Sequence, residues 1–269
     1  MSNGEKILSI FAGIDVGSSF TKVVLIDQTK KILGTDIRFS GTSLRLAAEK
    51  GLKAALENNT SFSEIKRTVS TGYGRKNVSL DNLKITTITE ISCNAKAAQF
   101  YYPNRALSIV DIGGQDTKII KTREDGRRAS FKMNRKCAAG TGTFLEELAL
   151  KLRVQPDELD KLARQSTHAK SISSYCTVFA ATEILSRIRE GASIEDMVRG
   201  AFNSVVKRIL EIDVLDNEVI LTGGVVAHNP TIIEIFEEEV GRSVSVPPSP
   251  QLFVALGAAL YALEEDTSI

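Results

Sequence analysis

The stretch RKCAAGTGTFLEEL, residues 135 to 148, sets Cys137 before a glycine-rich turn that opens a helical pattern. Helix N-termini collect negative charge, because unpaired N–H groups and the macrodipole both point outward there. Gly140, Thr141 and Gly142 therefore suit a phosphate, and a thiolate at Cys137 suits an anionic metal centre. Cys176 stands in the same relation to the helical pattern TVFAATEILSRIR. A thiolate at such a position has a depressed pKa, although a buried, inert thiol is the ordinary alternative for each cysteine alone. The third cysteine, Cys93, falls inside the helical run ISCNAKAAQF and reads as a core residue.

A second group of residues recurs. Ile14-Asp15-Val16-Gly17-Ser18-Ser19-Phe20-Thr21-Lys22 matches Val110-Asp111-Ile112-Gly113-Gly114-Gln115-Asp116-Thr117-Lys118: apolar, Asp, apolar, Gly, small, two free positions, Thr, Lys. Each copy is a strand ending in Asp, a tight glycine turn and a second strand. Such a turn leaves backbone N–H groups open to a phosphate, while Ser18, Ser19 and Thr21 add hydroxyls. Facing copies would grip a polyphosphate, and Asp15 and Asp111 would hold Mg²⁺ through water. Lys22 and Lys118 either neutralise phosphate charge or are simply solvated. The plainer reading of a single copy is a hairpin whose Asp and Gly serve turn chemistry. Duplication, together with a third glycine turn in LTGGVVAHNP at 221 to 230, argues against it. No Walker A spacing, GxxxxGK[ST], occurs.

The surrounding pattern supplies elements to position these residues. SIFAGIDV, FTKVVLID and KKILGTDIRF read as an antiparallel meander, followed by a helix at LRLAAEKGLKAALEN, a short strand at RTVSTG and a helix near Ser92 to Tyr101. The meander repeats over 107 to 133. Helices follow at 140 to 153, from Pro156 to about Arg164, at 178 to 190 and at 194 to 214; the strand EVILTGG then leads to a helix near Asn229 and a last one over 251 to 264. The expected organisation is a lobe at 1–103 and a lobe at 104–269 carrying both cysteine-led helices. The C-terminal helix is the element able to return to the first lobe, and a hinged cleft is expected between the halves.

Composition narrows the chemistry further. A formal net charge of +1 with interspersed signs gives no electrostatic footprint for nucleic acid. No apolar run approaches a membrane span and no signal-type h-region opens the chain, so a cytoplasmic location without membrane association is expected. Three cysteines suit reduced thiols better than a disulfide framework, and the absence of CxxC excludes a zinc ribbon or thioredoxin motif. The two histidines, His168 in a polar loop and His228 after the glycine turn, indicate no histidine chemistry.

The order DVGSSFTK, DIGGQDTK, LTGG resembles the phosphate-1, phosphate-2 and adenosine motifs of the actin, sugar kinase and heat-shock ATPase superfamily. That resemblance implies an α/β, duplicated ribonuclease-H-like fold of two lobes with a nucleotide cleft. It assigns Gly17, Ser18, Ser19, Thr21 and Lys22 to one phosphate loop, and Gly113, Gly114 and Gln115 to the other. Gly223, Gly224, Val225 and Asn229 go to the adenosine side, and Ala255 to Ala259 to an interdomain connection. KCAAGTGTFLE with YCTVFAATE is similar, more specifically, to the activator ATPases of 2-hydroxyacyl-CoA dehydratases, relatives of the benzoyl-CoA reductase ATPase subunits and double-cubane reductases. In that group the matching cysteines, here Cys137 and Cys176, bind one 4Fe-4S cluster between two identical subunits. Four thiolates then come from two chains, and Cys93 is the bystander.

The resemblance also implies ATP/ADP and Mg²⁺ as cofactors, a homodimer, a ferredoxin or flavodoxin as electron donor and an iron–sulfur dehydratase or reductase as acceptor, in anaerobic metabolism. Where the group often has Glu-Ser-Glu, this sequence has Ala181-Thr182-Glu183, so only Glu183 keeps an acidic position. Gln115, with Asp15 and Asp111, is the candidate for organising hydrolysis. Two other functions fit the same motifs: a small-molecule kinase with Asp111 or a neighbour as base, and a nucleotide-gated interaction module.

Overall fold

The computed structural model describes residues 9–56, 62–81, 83–134, 141–170, 172 and 177–267, without the side chains of 177–181 and 267. The chain forms two compact units, Met1–Asn104 with Leu252–Ile269, and Arg105–Gln251.

In the first unit, β1 (Ile10–Val16), β2 (Phe20–Ile26) and β3 (Ile32–Phe39) form the expected antiparallel meander. The turn into β3 is built by Asp27, whose Oδ1 accepts from the Thr29 amide (2.7 Å), the Thr29 hydroxyl (2.6 Å) and the Lys31 amide (3.0 Å). Ser43 caps α1 (Leu44–Ala55), whose Ala47, Ala48, Leu52 and Ala55 are buried, three of them in one core with Ile14, Val16, Val23 and Leu25. β4 (Ile65–Thr71) then runs parallel to β1, and β5 (Ile85–Thr87) parallel to β4, giving the order β3-β2-β1-β4-β5. α2 (Glu90–Tyr101) and the C-terminal helix cover the opposite face. All of β1 is buried, as expected of a central strand with helices on both faces.

The second unit repeats the plan. β6 (Leu107–Ile112), β7 (Thr117–Thr122) and β8 (Arg128–Asn134) make the meander. The helices α3 (Gly142–Leu152), α4 (Leu159–Gln165), α5 (Thr177–Arg189) and α6 (Ile194–Leu210) lead to β9 (Glu218–Thr222), parallel to β6, for the order β8-β7-β6-β9. α7 (Gly224–His228) and α8 (Pro230–Val240) complete the unit, and α9 (Phe253–Thr267) belongs to the first. Phe144, Leu148, Phe202, Val205 and Phe236 anchor the helical side of its core. Two meanders, each followed by helix and parallel strand, constitute the duplicated ribonuclease-H-like fold of actin-like ATPases.

Departures from the sequence expectations have local causes. β5 and α7 are too short to carry a period, so neither shows in the sequence pattern. α6 stops at Leu210 rather than 214: Asp213 bonds its carboxylate to the Val214 amide (2.8 Å) and to Lys132 (3.1 Å), competing with helical continuation. At the other end of α6 the Asp196 carboxylate accepts from the His168 amide (2.9 Å), the Ser166 hydroxyl (2.7 Å) and the Thr167 amide (3.1 Å).

The bond from the His168 amide, then that from Ser166, holds the Asp196 carboxyl down to about 2. An unfolded aspartate titrates near ~3.9. The stabilisation is therefore present above that value and lost as pH falls from about 4 toward 2. In urea titrations the unfolding midpoint is expected to drop over that interval, and Asp196→Asn to flatten that part of the drop.

Candidate functional site

The first half-site lies at the ends of β1 and β4. Asp15 and Lys22 are cross-strand partners, and Lys22 Nζ donates to Asp15 Oδ2 at 2.9 Å. On its other side Asp15 is level with Thr71. The next residue, Gly72, has φ +92°; a Cβ there would stand 2.5 Å from the Val16 carbonyl and 2.6 Å from Asp15 Oδ1. Only glycine accepts both that backbone and that approach. The Gly74 amide donates to the Val16 carbonyl at 2.9 Å, and Arg75 Nη1 to the Gly72 carbonyl at 3.1 Å.

The hairpin tip is closed by the Gly17 amide donating to Phe20 O (3.1 Å), and Ser40 braces it, donating from its amide to Ser19 O (2.8 Å) and from its hydroxyl to Gly17 O (2.8 Å). The amides of Ser18 and Ser19 make no hydrogen bond within the described residues, which leaves donors for an anion. Thr21 corrects an expectation. It is fully buried with its hydroxyl 2.9 Å from that of Ser40, because strand alternation points it to the same face as Val23 and Leu25. It shapes the loop rather than presenting a donor at the surface.

The second half-site has the same construction at the ends of β6 and β9. Asp111 and Lys118 are cross-strand partners, and Asp111 is level with Thr222. Gly223 follows at φ +101°, and a Cβ there would lie 2.3 Å from the Ile112 carbonyl and 2.8 Å from Asp111 Oδ1. Lys118 differs from Lys22. Its Nζ is 2.5 Å from Asp116 Oδ1 and 3.9 Å from Asp111 Oδ2, and the residue is 4% exposed. Simple solvation is thereby excluded for it. Gln115 is exposed at the tip, and neither its amide nor that of Gly114 bonds within the described residues.

The N-terminus of α3 meets this tip. The Gly142 amide donates to Gly113 O (2.9 Å), and the Thr143 amide and hydroxyl both donate to Gly114 O (2.8 and 2.7 Å). These groups are taken, so Gly142 does not offer the free anion donor expected from the sequence; it seats the hairpin on the helix. Thr141 is fully buried, while Gly140, Cys137 and Cys176 lie outside the described residues. Gly223 and Gly224 open α7, and the turn is pinned by the Gly223 amide (3.0 Å) and Thr222 hydroxyl (2.7 Å), both donating to the Pro250 carbonyl. Val225 is buried in the core, and Asn229 turns its Nδ2 back to the Val225 carbonyl at 3.0 Å. Both therefore contribute structure to this turn. His228 Nε2 lies 3.1 Å from Gln251 Oε1.

Thr71, Gly72 and Ser40 in the first unit, and Asp116 and Thr143 in the second, join the residues around the two tips without having been singled out by sequence pattern. A signal existed for two of them, because Thr71-Gly72 closes RTVSTG as Thr222-Gly223 closes VILTG. Cys93 is fully buried, and burial pushes its thiol up to about 12, with the Thr71 hydroxyl opposing and the Asp15 charge adding to the rise. Among the described residues no three His, Cys, Asp or Glu side chains cluster as a metal site, and no helix is long and apolar enough to cross a membrane.

The chain is similar along its length to proteins of known role. It is 39% identical to the 2-hydroxyisocaproyl-CoA dehydratase activator of Clostridioides difficile, over 94% of each chain. The crystal structure of (R)-2-hydroxyglutaryl-CoA dehydratase component A from Acidaminococcus fermentans superposes with a TM-score of 0.88 at 36% identity, covering 96% of this chain and 99% of that one. The activator of the 2-hydroxyisocaproyl-CoA dehydratase with bound ADPNP, from Clostridium difficile, gives 0.87 at 38% identity, covering 96% of both chains. Residues 12–262 match a single family model that spans both half-sites, and the chain belongs to the BadF/BadG/BcrA/BcrD ATPase family.

Proposed function

We propose that this protein is an ATP-hydrolysing one-electron donor. In this reading it passes a low-potential electron from a 4Fe-4S cluster, shared by two copies of the chain, to an iron–sulfur 2-hydroxyacyl-CoA dehydratase or a related benzoyl-CoA or double-cubane reductase. The names of its relatives support the partner class. The observation that carries the coupling is the seat of α3 on the Gly113–Gly114 tip, because the chain entering that helix contains Cys137.

The chain's donor chemistry fits both groups. Cys93 is sequestered, so each copy has two thiols to offer and two copies complete the four that such a cluster takes. Asp15 and Asp111 end central strands beside the two glycine tips, where they would hold Mg²⁺ through water. The amides of Ser18, Ser19, Gly114 and Gln115 would bind phosphate oxygens, Lys22 would neutralise charge, and exposed Gln115 would orient the attacking water.

A γ-phosphate drawn to the Gly114–Gln115 tip pulls on two carbonyls that already hold α3, so its binding energy is delivered to that helix. A ligand shifts such an equilibrium only through its differential affinity for two states. The cluster, when bound, supplies the one-electron redox step, for which each ~59 mV of added reducing power corresponds to about 1.4 kcal/mol. Several hundred millivolts then requires on the order of several kcal/mol, which coupling to ATP hydrolysis would supply.

Anaerobically purified protein is expected to be a brown dimer with about one cluster per two chains, giving an EPR signal on one-electron reduction and hydrolysing ATP. A colourless, iron-free protein, or iron held by a lone subunit, would sink the reading.

A further inference from the structure

We infer that Asp116 is a positioning residue that makes the two glycine tips unequal: by drawing Lys118 off Asp111 it turns the second half-site into the one that takes the divalent cation, while the first presents an ammonium to phosphate. The inference rests on the proposed function, which brings Mg²⁺ and a nucleotide to these aspartates, and assigns the cation chiefly to one of them.

The duplicated motif supplies an internal comparison. Both hairpins close in the same way, the Gly17 amide donating to Phe20 O at 3.1 Å and the Gly113 amide to Asp116 O at 3.0 Å. Phe20 and Asp116 therefore hold equivalent places, each two residues ahead of an equivalent lysine. In the first unit Phe20 sets its ring edge-on to Phe39, with centroids 5.9 Å apart, and brings no charge. Lys22 Nζ there donates to Asp15 Oδ2 at 2.9 Å. In the second unit the same place is a carboxylate. Lys118 Nζ goes to it, at 2.5 Å from Asp116 Oδ1, and stands 3.9 Å from Asp111 Oδ2. One side chain, Phe or Asp, decides which partner the lysine takes.

The space over the first glycine of each tip shows the same difference. A Cβ on Gly17 would lie 3.3 Å from Lys22 Nζ, whereas a Cβ on Gly113 would lie 3.3 Å from Asp116 Oδ1. An ammonium covers one turn and a carboxylate oxygen covers the other. Counted over these residues, Asp15 with Lys22 is neutral, while Asp111 and Asp116 against the single ammonium of Lys118 leave one negative charge. Coulomb energy scales with the product of the charges, so a divalent ion is drawn to the second tip. Lys118 is only 4% exposed, and ion pairs so buried are little screened by salt. Mg²⁺ keeps much of its hydration shell, so the pull acts through water without ligation by Asp116 itself.

The test uses the full-length protein with saturating ADP and follows Mn²⁺ binding by loss of the free-ion EPR signal, with Mg²⁺ as competitor. Asp116→Asn is expected to weaken Mn²⁺ binding about tenfold, the lower end of the cost of removing an outer-shell partner at a metal site. Lys118 then closes on Asp111 as Lys22 does on Asp15. ADP alone, in EDTA, should bind that variant at least as tightly as wild type. Adding Lys118→Met to Asp116→Asn removes the ammonium and should restore most of the Mn²⁺ affinity, a rescue that a merely structural role for Asp116 would not give. Should Asp116→Asn not fold, Phe20→Asp makes the reciprocal change at a partly exposed position of the first hairpin and should tighten Mn²⁺ binding. The inference is overturned if Asp116→Asn binds Mn²⁺ as wild type does, if the double variant is no better than the single, or if Phe20→Asp leaves the affinity unchanged. A wild-type protein that binds ADP but no Mn²⁺ overturns the Mg²⁺ role of Asp15 and Asp111 and this inference with it. Normal wild-type binding with indifferent Asp116 variants overturns the inference alone.

Discussion

Cys137→Ser and Cys176→Ser are each expected to abolish iron binding and activation of the partner enzyme, while Cys93→Ser retains both. The asymmetry follows from where the third thiol sits. Cys93 is fully buried in α2, and its thiol is pushed up to about 12, chiefly by burial. A thiol in that state is neither a thiolate ligand nor a nucleophile at neutral pH. The substitution itself introduces a hydroxyl into an apolar setting, at a cost of about 1–3 kcal/mol in stability unless it is bonded. Thr71, whose hydroxyl is buried without a hydrogen-bond partner and acts on the Cys93 thiol, is the group placed to bond it. Iron per chain and EPR intensity measure the outcome, and iodoacetamide labelling of the native apo-protein gives an independent reading: Cys93 should be spared until the chain unfolds. Loss of iron from Cys93→Ser with retention in the other two would reverse the assignment.

The glycines that close the two half-sites carry the second large effect. Gly72→Ala and Gly223→Ala each force a Cβ into positive-φ backbone, which for Gly223 (φ 101°, ψ 172°) is a region that essentially only glycine populates, at a cost on the order of 1–3 kcal/mol. They also drive it against a carbonyl and a carboxylate oxygen, which adds about 1–3 kcal/mol of overpacking. Gly241 supplies a reference for positive φ without the close approach. It has φ +68° and open space for 4 Å around the position a Cβ would take, so Gly241→Ala should lose only the backbone part. Urea unfolding should therefore rank Gly72→Ala and Gly223→Ala well below Gly241→Ala in stability, by about 1–3 kcal/mol. In the two severe variants the added methyl faces Asp15 Oδ1 or Asp111 Oδ1, so nucleotide affinity should fall as well, whereas Gly241→Ala should bind nucleotide as wild type does. Equal losses for all three would mean that the oxygens give way and that the close approach has no energetic weight.

The hairpins are legible in the sequence because everything they need is close along the chain. Strand alternation and the length of a tight turn together set Asp15 opposite Lys22 and Asp111 opposite Lys118, and that register is observed in both units. Duplication of the motif then identifies the fold without any knowledge of long-range pairing. Boundaries are less legible, since a side chain such as Asp213 ends a helix by bonding locally in a way that periodicity does not register.

What only the tertiary structure decided depends on partners far apart in the chain. Parallel pairing of β4 with β1 and of β9 with β6 brings Thr71-Gly72 and Thr222-Gly223 to the two aspartates, and no local pattern specifies which strand pairs across a helical crossover. The same is true of Thr143, which reaches Gly114 from the start of α3, and of α9, which packs in the first unit although it follows the second in sequence. Residue types and spacing at the two tips are set by turn chemistry within a few positions. The groups that brace those tips come from distant segments, because the core, buried apolar surface rather than chain proximity, selects which elements lie together.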